Sequence, residues 1–185
     1  MAPRNATRSR PKDAIAMLRA DHQKVRQLFR AYRTAKDQAT QWEIALHIFD
    51  ELEVHTQLEE VVFYQAVEEE TTSLGKRLAH ASLEEHQEAL ALIQDLRGLA
   101  PGSPKFDTTF QALVLTVEHH MTEEEMEMFP LAAAEVAEDL QDLRDEMLPL
   151  KTHLLASQRC SRPLGRRGVQ GLALQCLVYS QCVSQ

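Results

Sequence analysis

Two ten-residue stretches of this chain carry the same pattern, HTQLEEVVFY at residues 55–64 and HMTEEEMEMF at residues 120–129. In each stretch a histidine and a glutamate stand four residues apart, His55 with Glu59 and His120 with Glu124. Residues four apart lie on the same side of an α-helix, one turn above the other. Each stretch therefore predicts a helix that aims an imidazole and a carboxylate at one point.

The repeat extends outward to two further histidines. His22 lies 33 residues before His55, and His86 lies 34 residues before His120. Around each of them, apolar side chains recur at the three- and four-residue intervals of an amphipathic helix. The polar residues that fall on these apolar stripes are His22, His55, Glu59, His86, His120 and Glu124.

The helical pattern covers most of the chain and predicts an all-α fold. Helices are expected over 13–36, 40–70 and 73–97, from Pro104 to Pro130, and from there to about 157. Asp13 is the expected N-cap of the first helix, Pro130 should end or kink the fourth, and Pro149 should bend the last. Because the connections are short, we expect an antiparallel up-down-up-down four-helix bundle with an additional C-terminal helix.

Charge is unevenly distributed along the chain. All 28 acidic residues fall within 13–156 together with 12 lysines and arginines, which gives that part a net charge of −16. This charge disfavours nucleic acid as a partner, because phosphates would be repelled. No apolar run is long enough to cross a membrane, and no apolar segment follows the first arginines, so we expect a cytoplasmic protein with no membrane association.

Both ends of the chain differ from this acidic middle. Residues 1–12 are basic and are expected to be a flexible N-terminus, residues 13–156 form the predicted bundle, and residues 157–185 form an irregular C-terminal tail. The tail contains all three cysteines, Cys160, Cys176 and Cys182, whose spacing fits no zinc motif. We therefore assign the tail no function.

The six polar residues on the apolar stripes predict a metal site. Burying imidazole and carboxylate groups is unfavourable unless they are paired or bind a metal, and six such groups cannot readily satisfy one another. Mixed imidazole and carboxylate donors suit iron, manganese or zinc. Two half-sites indicate two metals, each with two histidines, and both glutamates are well placed to bridge them.

These motifs resemble the hemerythrin-like family, also described as HHE cation-binding domains. The resemblance spans about residues 13–156 and is carried by Asp21-His22, the stretch 55–64, Glu85-His86, the stretch 119–125 and Phe129-Pro130. It implies a bundle with two non-haem iron ions, oxo- or hydroxo-bridged, that meets dioxygen, nitric oxide or peroxide. Iron is the expected metal, with manganese or zinc as alternatives.

Two positions qualify this resemblance. Blood-type hemerythrins have a further histidine one turn before the third-helix ligand, and Ser82 stands there in this chain. The site should then have more open positions than an oxygen carrier. His119 and Glu123 are also four apart, but His119 projects away from the stripe that contains His120, so we assign His120 and Glu124. Glu60, Glu123 and Glu125 are expected on flanking or solvated faces, where one of them could orient a ligating histidine.

Three kinds of function fit these predictions. The first is a di-iron binding protein that senses or handles oxygen, nitric oxide, peroxide or iron, with an unknown protein partner. The second is a di-iron oxidoreductase that decomposes peroxide or activates dioxygen. The third is a structural helical bundle with an incidental metal. The sequence shows no separate acid–base pair, so whether the protein is an enzyme stays open.

Overall fold

The fold is given by a computed structural model that describes residues 11–161. The predicted flexible N-terminus falls almost wholly outside the described residues, and so does most of the predicted tail, including Cys176 and Cys182.

All regular structure in residues 11–161 is helical, which confirms the all-α prediction. The helices are α1 (Ala14–Thr34), α2 (Gln38–Leu58), α3 (Tyr64–Glu70), α4 (Ser73–Gly98), α5 (Pro104–Glu123), α6 (Phe129–Glu135) and α7 (Leu140–Ser161). None of these described helices combines the length and apolar character that a membrane crossing requires.

Local sequence signals explain where the long helices begin. The Asp13 carboxylate accepts a hydrogen bond from the backbone N–H of Ala16 at 2.7 Å, so Asp13 is the N-cap of α1 as predicted. Asp37 caps α2 in the same way. Ser103 caps α5, where Pro104 at the first position has no N–H that would need a partner.

Two π-helical turns interrupt the repeat stretches at matching positions. They span Glu59–Phe63, between α2 and α3, and Glu124–Met128, between α5 and α6. Pro130 therefore lies at the start of α6, directly after a π turn, and the chain stays helical to Glu135. Because Gln65 stands at the equivalent place in the first repeat, the proline is not the cause of the turn. Each turn instead begins at a buried glutamate, and such turns are frequent at functional sites.

The apolar side chains form two core clusters, with a polar layer between them. On α1, Leu18 belongs to one cluster and Val25 to the other, and His22 stands between them. On α2, Leu52 and Leu58 flank His55 in the same manner. The packing of both apolar clusters thus fixes the backbone on each side of the polar residues.

Candidate metal centre

All six predicted polar residues are buried in the layer between the two core clusters. Their exposed fractions are His22 0%, His55 3%, Glu59 0%, His86 2%, His120 5% and Glu124 1%. They come from α1, α2, α4, α5 and the first residue of each π turn. Charged or imidazole groups are rarely buried this completely unless they are paired with one another or with a metal.

The four imidazoles form two pairs, each of which meets through Nε2 atoms. The Nε2 atoms of His22 and His55 are 3.1 Å apart, and those of His86 and His120 are also 3.1 Å apart. Each pair joins the two histidines of one sequence repeat. The structure therefore builds two equivalent half-sites from sequence segments that are related by the repeat.

The two glutamates lie between the histidine pairs. Glu59 Oε2 is 3.2 Å from His55 Nε2 and 3.3 Å from His86 Nε2. Glu124 Oε2 is 3.2 Å from His22 Nε2 and 3.4 Å from His120 Nε2. Each carboxylate thus contacts one histidine of each pair, which is the placement that a bridging ligand requires.

These donor atoms are close enough to surround metal ions. Donor atoms of His22, His55, Glu59 and Glu124 lie within 4.8 Å of one another, and so do those of Glu59, His86 and His120. Glu59 belongs to both groups. The set of imidazole nitrogens and carboxylate oxygens fits iron, manganese or zinc.

Two carboxylate oxygens in the cluster lack a well-formed hydrogen bond among the described residues. Glu59 Oε1 has no partner, and Glu124 Oε2 has only the contacts with the Nε2 atoms of His22 and His120 given above; both oxygens are fully buried. A buried carboxylate oxygen without a donor is strongly unfavourable. A bound cation would remove this penalty, so the carboxylate oxygens are better satisfied by a metal than by the neighbouring side chains.

A carboxylate faces the outer nitrogen of every imidazole. Nδ1 of His22 is 2.9 Å from Glu125, Nδ1 of His86 is 2.9 Å from Glu60, and Nδ1 of His120 is 3.0 Å from Glu85. Nδ1 of His55 is 3.9 Å from Asp21, which also pairs with Lys151. An imidazole that donates from Nδ1 to a carboxylate presents the Nε2 lone pair, so the three short contacts orient the rings of His22, His86 and His120 toward the centre. Nδ1 of His55 has no hydrogen-bond partner among the described residues.

These carboxylates were only partly foreseen from the sequence. Glu60 and Glu125 were considered as acceptors, whereas Asp21 and Glu85 were not assigned a role. Asp21 directly precedes His22, and Glu85 directly precedes His86. Asp21 faces His55 on the next long helix, and Glu85 faces His120 on the next long helix. Their position directly before His22 and His86 was the available signal.

Opposite charges shift the pKa values of the buried side chains. Burial lowers the pKa of His22 and His120, but the surrounding carboxylates, of which Glu124 contributes most, together outweigh it. Both values are therefore raised, and that of His120 is raised well above 6.5. The pKa of His86 is raised by Glu59 against the same effect of burial. For Glu59, burial raises the pKa, but the neighbouring imidazoles hold it well below 4.5. Because the raised pKa values of His22, His86 and His120 favour the protonated imidazole, a cation must compete with protons for their nitrogens.

Tyr64 is a residue of the site that sequence reasoning missed. Its buried hydroxyl donates a hydrogen bond to Glu124 Oε1 at 2.8 Å and lies 3.3 Å from His86 Nε2. The ring stacks on His86, just as Phe129 stacks on His22 in the other repeat. Burial and the two nearby carboxylates raise the pKa of Tyr64 well above 10.0. Among the described residues, a phenol therefore lies at the half-site of His86 and His120, where the other half-site has Phe129.

The remaining histidines among the described residues lie outside the buried cluster. His119 is 65% exposed, so the structure places His120 and not its neighbour in the centre. His47, His80 and His153 are also exposed, as is Glu123. Ser82, one turn before His86 on α4, is buried.

Comparisons with known proteins agree with this architecture. The model of the hemerythrin HHE cation binding domain matches residues 13–132, with a second match over residues 77–155. The crystal structure of a hemerythrin HHE cation binding domain-containing protein from Mycobacterium kansasii superposes with a TM-score of 0.70. The two sequences are 18% identical, and the superposition covers 80% of this chain and 90% of the other, so the fold is hemerythrin-like.

The chain is also similar to part of a longer protein. It is 26% identical over 113 residues to a protein named DNA nickase from Nostoc sp.. The match covers 61% of this chain but only 31% of that relative, so the chain spans about a third of its length. The family match itself extends over most of the residues that form the bundle and the buried cluster. This chain belongs to the hemerythrin HHE cation-binding domain family.

Proposed function

We propose that the buried cluster holds a non-haem di-iron centre. His22 and His55 would bind one iron, His86 and His120 the other, and Glu59 and Glu124 would bridge them. The observation that supports this proposal best is the position of the two carboxylates, each of which lies 3.2–3.4 Å from one histidine of each pair. Two metals that share two carboxylates are a known arrangement in helical bundles.

We also propose how neighbouring helices are oriented in the bundle. Leu18 near the start of α1 shares a core cluster with Leu58 at the end of α2, while Phe29 near the end of α1 shares the other cluster with Ala45. Because the start of α1 packs with the end of α2, and the end of α1 packs with the start of α2, the two helices are expected to run antiparallel. We therefore expect the up-down-up-down bundle, with α7 as the additional helix packed on α1 and α2.

A small oxygen- or nitrogen-containing ligand is the proposed partner of this centre. Bound iron supplies reversible electron transfer and open coordination positions for dioxygen, nitric oxide or peroxide. A cavity of about 10 Å³, the size of a single water, lies beside His55, His86 and His120. Its walls include Leu52, Ala89 and Val117, so the ligand space is narrow and largely apolar.

Peroxide decomposition is the second candidate function, and Tyr64 is the observation that favours it. The phenol is held 2.8 Å from Glu124 and 3.3 Å from His86, where it can donate a proton to a ligand in the centre. Peroxide turnover by the iron-loaded protein separates an enzyme from a binding protein. The acidic charge of residues 13–156 opposes contact with phosphates, so a nickase activity is not extended to this chain.

Metal analysis of the purified protein, with an absorption spectrum in air, tests the proposal. We expect about two irons per chain and the near-ultraviolet absorption of a coupled ferric pair. One metal per chain, zinc alone, or no metal after anaerobic loading with ferrous iron would contradict a di-iron centre. A loss of about two irons on treatment with a chelator should also lower the unfolding temperature, because metal binding and folding are coupled.

A further inference from the structure

A second group of metal-binding side chains lies on the protein surface, next to the buried centre. His119 Nε2 is 3.4 Å from Glu123 Oε1, one turn away on α5, and 3.6 Å from Glu85 Oε1 on α4. Donor atoms of all three residues lie within 4.8 Å of one another. We call these residues the surface triad.

The surface triad is specific to the second repeat. The positions equivalent to His119 and Glu123 in the first repeat are Val54 and Leu58, which are buried in a core cluster. The equivalent of Glu85 is Asp21, which pairs with Lys151 of α7. Since α7 packs on α1 and α2, it covers one half of the repeat and leaves the triad of the other half facing solvent.

Contacts within the protein hold the side chains of the surface triad in position. Glu85 accepts from His120 Nδ1 through Oε2 at 3.0 Å, and this contact leaves Oε1 directed at His119. His119 and Glu123 share one helical face and offer two donors from successive turns. Among the described residues, the ion pairs of Glu85 and Glu123 involve only histidines, so no lysine or arginine neutralises the two carboxylates.

We propose that the surface triad binds one divalent first-row cation, as a site separate from the buried centre. One imidazole nitrogen and two carboxylate oxygens match the donor set that zinc, cobalt and ferrous iron accept, and water can complete the coordination because His119 is exposed. The proposal does not depend on the metal content of the buried centre.

The test is a titration of the full-length protein with zinc chloride by isothermal titration calorimetry. The buried centre is first loaded with metal, and the metal retained after gel filtration is measured separately. Wild-type protein should bind about one further zinc per chain, and His119→Ala should weaken this step at least about tenfold. Glu123→Gln should also weaken the binding of this zinc ion. Agreement between the two variants would show that the loss is due to the triad and not to a side effect of one substitution.

His80→Ala is the matched control. His80 and Glu84 form an exposed pair four residues apart on α4, with Nδ1 and Oε1 at 3.8 Å. No third metal-binding side chain among the described residues joins this pair. This variant should bind zinc like the wild type. The proposal is overturned if wild-type protein binds no zinc beyond the retained metal, or if His119→Ala and His80→Ala titrate alike. Absence of retained metal would instead count against the di-iron centre alone.

Discussion

Replacement of Glu59 by alanine tests the proposed bridging role most directly. Glu59 is fully buried, and its Oε2 lies 3.2 Å from His55 and 3.3 Å from His86. The two contacted histidines belong to different half-sites. If Glu59 bridges two metals, its removal takes one ligand from each of them, whereas His22→Ala takes a ligand from one half-site only.

The two variants should therefore differ in metal content. We expect Glu59→Ala to fall from about two metals per chain to nearly none, and His22→Ala to retain about one. Glu124→Ala should behave like Glu59→Ala, since Glu124 also contacts both pairs. This difference in stoichiometry distinguishes a bridging glutamate from one that serves a single metal.

The stability of the metal-free protein should change as well. Removing one partner of a buried charged cluster typically costs about 3–5 kcal/mol, because the remaining groups lose their counter-charge. For a domain of this size, that loss corresponds to a decrease in unfolding temperature of roughly 6–20 °C. The imidazoles that rely on Glu59 are those of His55, His86 and His120.

Elemental analysis after gel filtration and thermal unfolding by circular dichroism measure the two effects. Glu127→Ala is the control, because Glu127 lies in the same π turn as Glu124 but is exposed. It should change neither the metal content nor the unfolding temperature. Full metal retention in Glu59→Ala or Glu124→Ala would refute the bridging role, even if the protein were destabilised.

Three further predictions concern the same centre. In elemental analysis after gel filtration, His119→Ala should leave the retained metal unchanged and His120→Ala should lower it; a loss with His119→Ala would show that the wrong neighbour was assigned. Tyr64→Phe should lower the free energy of unfolding by about 1–3 kcal/mol in denaturant titrations, because Glu124 Oε1 loses its donor, whereas Tyr32→Phe, which is only partly buried, should have little effect. Raised histidine pKa values stabilise the metal-free protein below the ordinary value of 6.5, and this contribution is lost as the pH rises through the raised values. Thermal unfolding should thus show metal-free stability falling as the pH rises above about 6.5 while metal-loaded stability rises, and parallel slopes would contradict the prediction.

The helices and the buried polar residues were predictable because their signals are local. Apolar residues three and four apart identify a helix face without knowledge of its neighbours. The spacing of His55 and Glu59, and of His120 and Glu124, therefore gave the direction of these side chains from sequence alone. The N-cap at Asp13 is equally local, since it depends on a hydrogen bond to Ala16.

The outer carboxylates depend on contacts between helices. Asp21 and Glu85 are found opposite His55 and His120 only when adjacent helices are rotated and shifted into register. A single-helix pattern does not contain that rotation. The residues directly before His22 and His86 could thus be recognised in the repeat, but not assigned to a partner.

Tyr64 was missed for a different reason. It stands five residues after Glu59, and five residues of regular α-helix place two side chains about 140° apart. The π turn changes this relationship, since the backbone N–H of Tyr64 bonds to the carbonyl of Glu59 and brings the two residues onto one side. A sequence analysis that assumes α-helical spacing throughout places the phenol away from the centre, whereas its hydroxyl lies 3.4 Å from Glu59 Oε2.

The repeat supplies equal ligands to both half-sites, but the surroundings of the two are unequal. On the side of His22, Phe129 has no polar group, and Arg26 binds Glu125, the carboxylate that faces His22. On the side of His86 lies the phenol of Tyr64, and the water-sized cavity is lined by His86 and His120 together with His55 of the other half-site. Both histidines of this half-site, but only His55 of the other, line the cavity, so we expect a small ligand to approach the proposed centre from the side of His86 and His120.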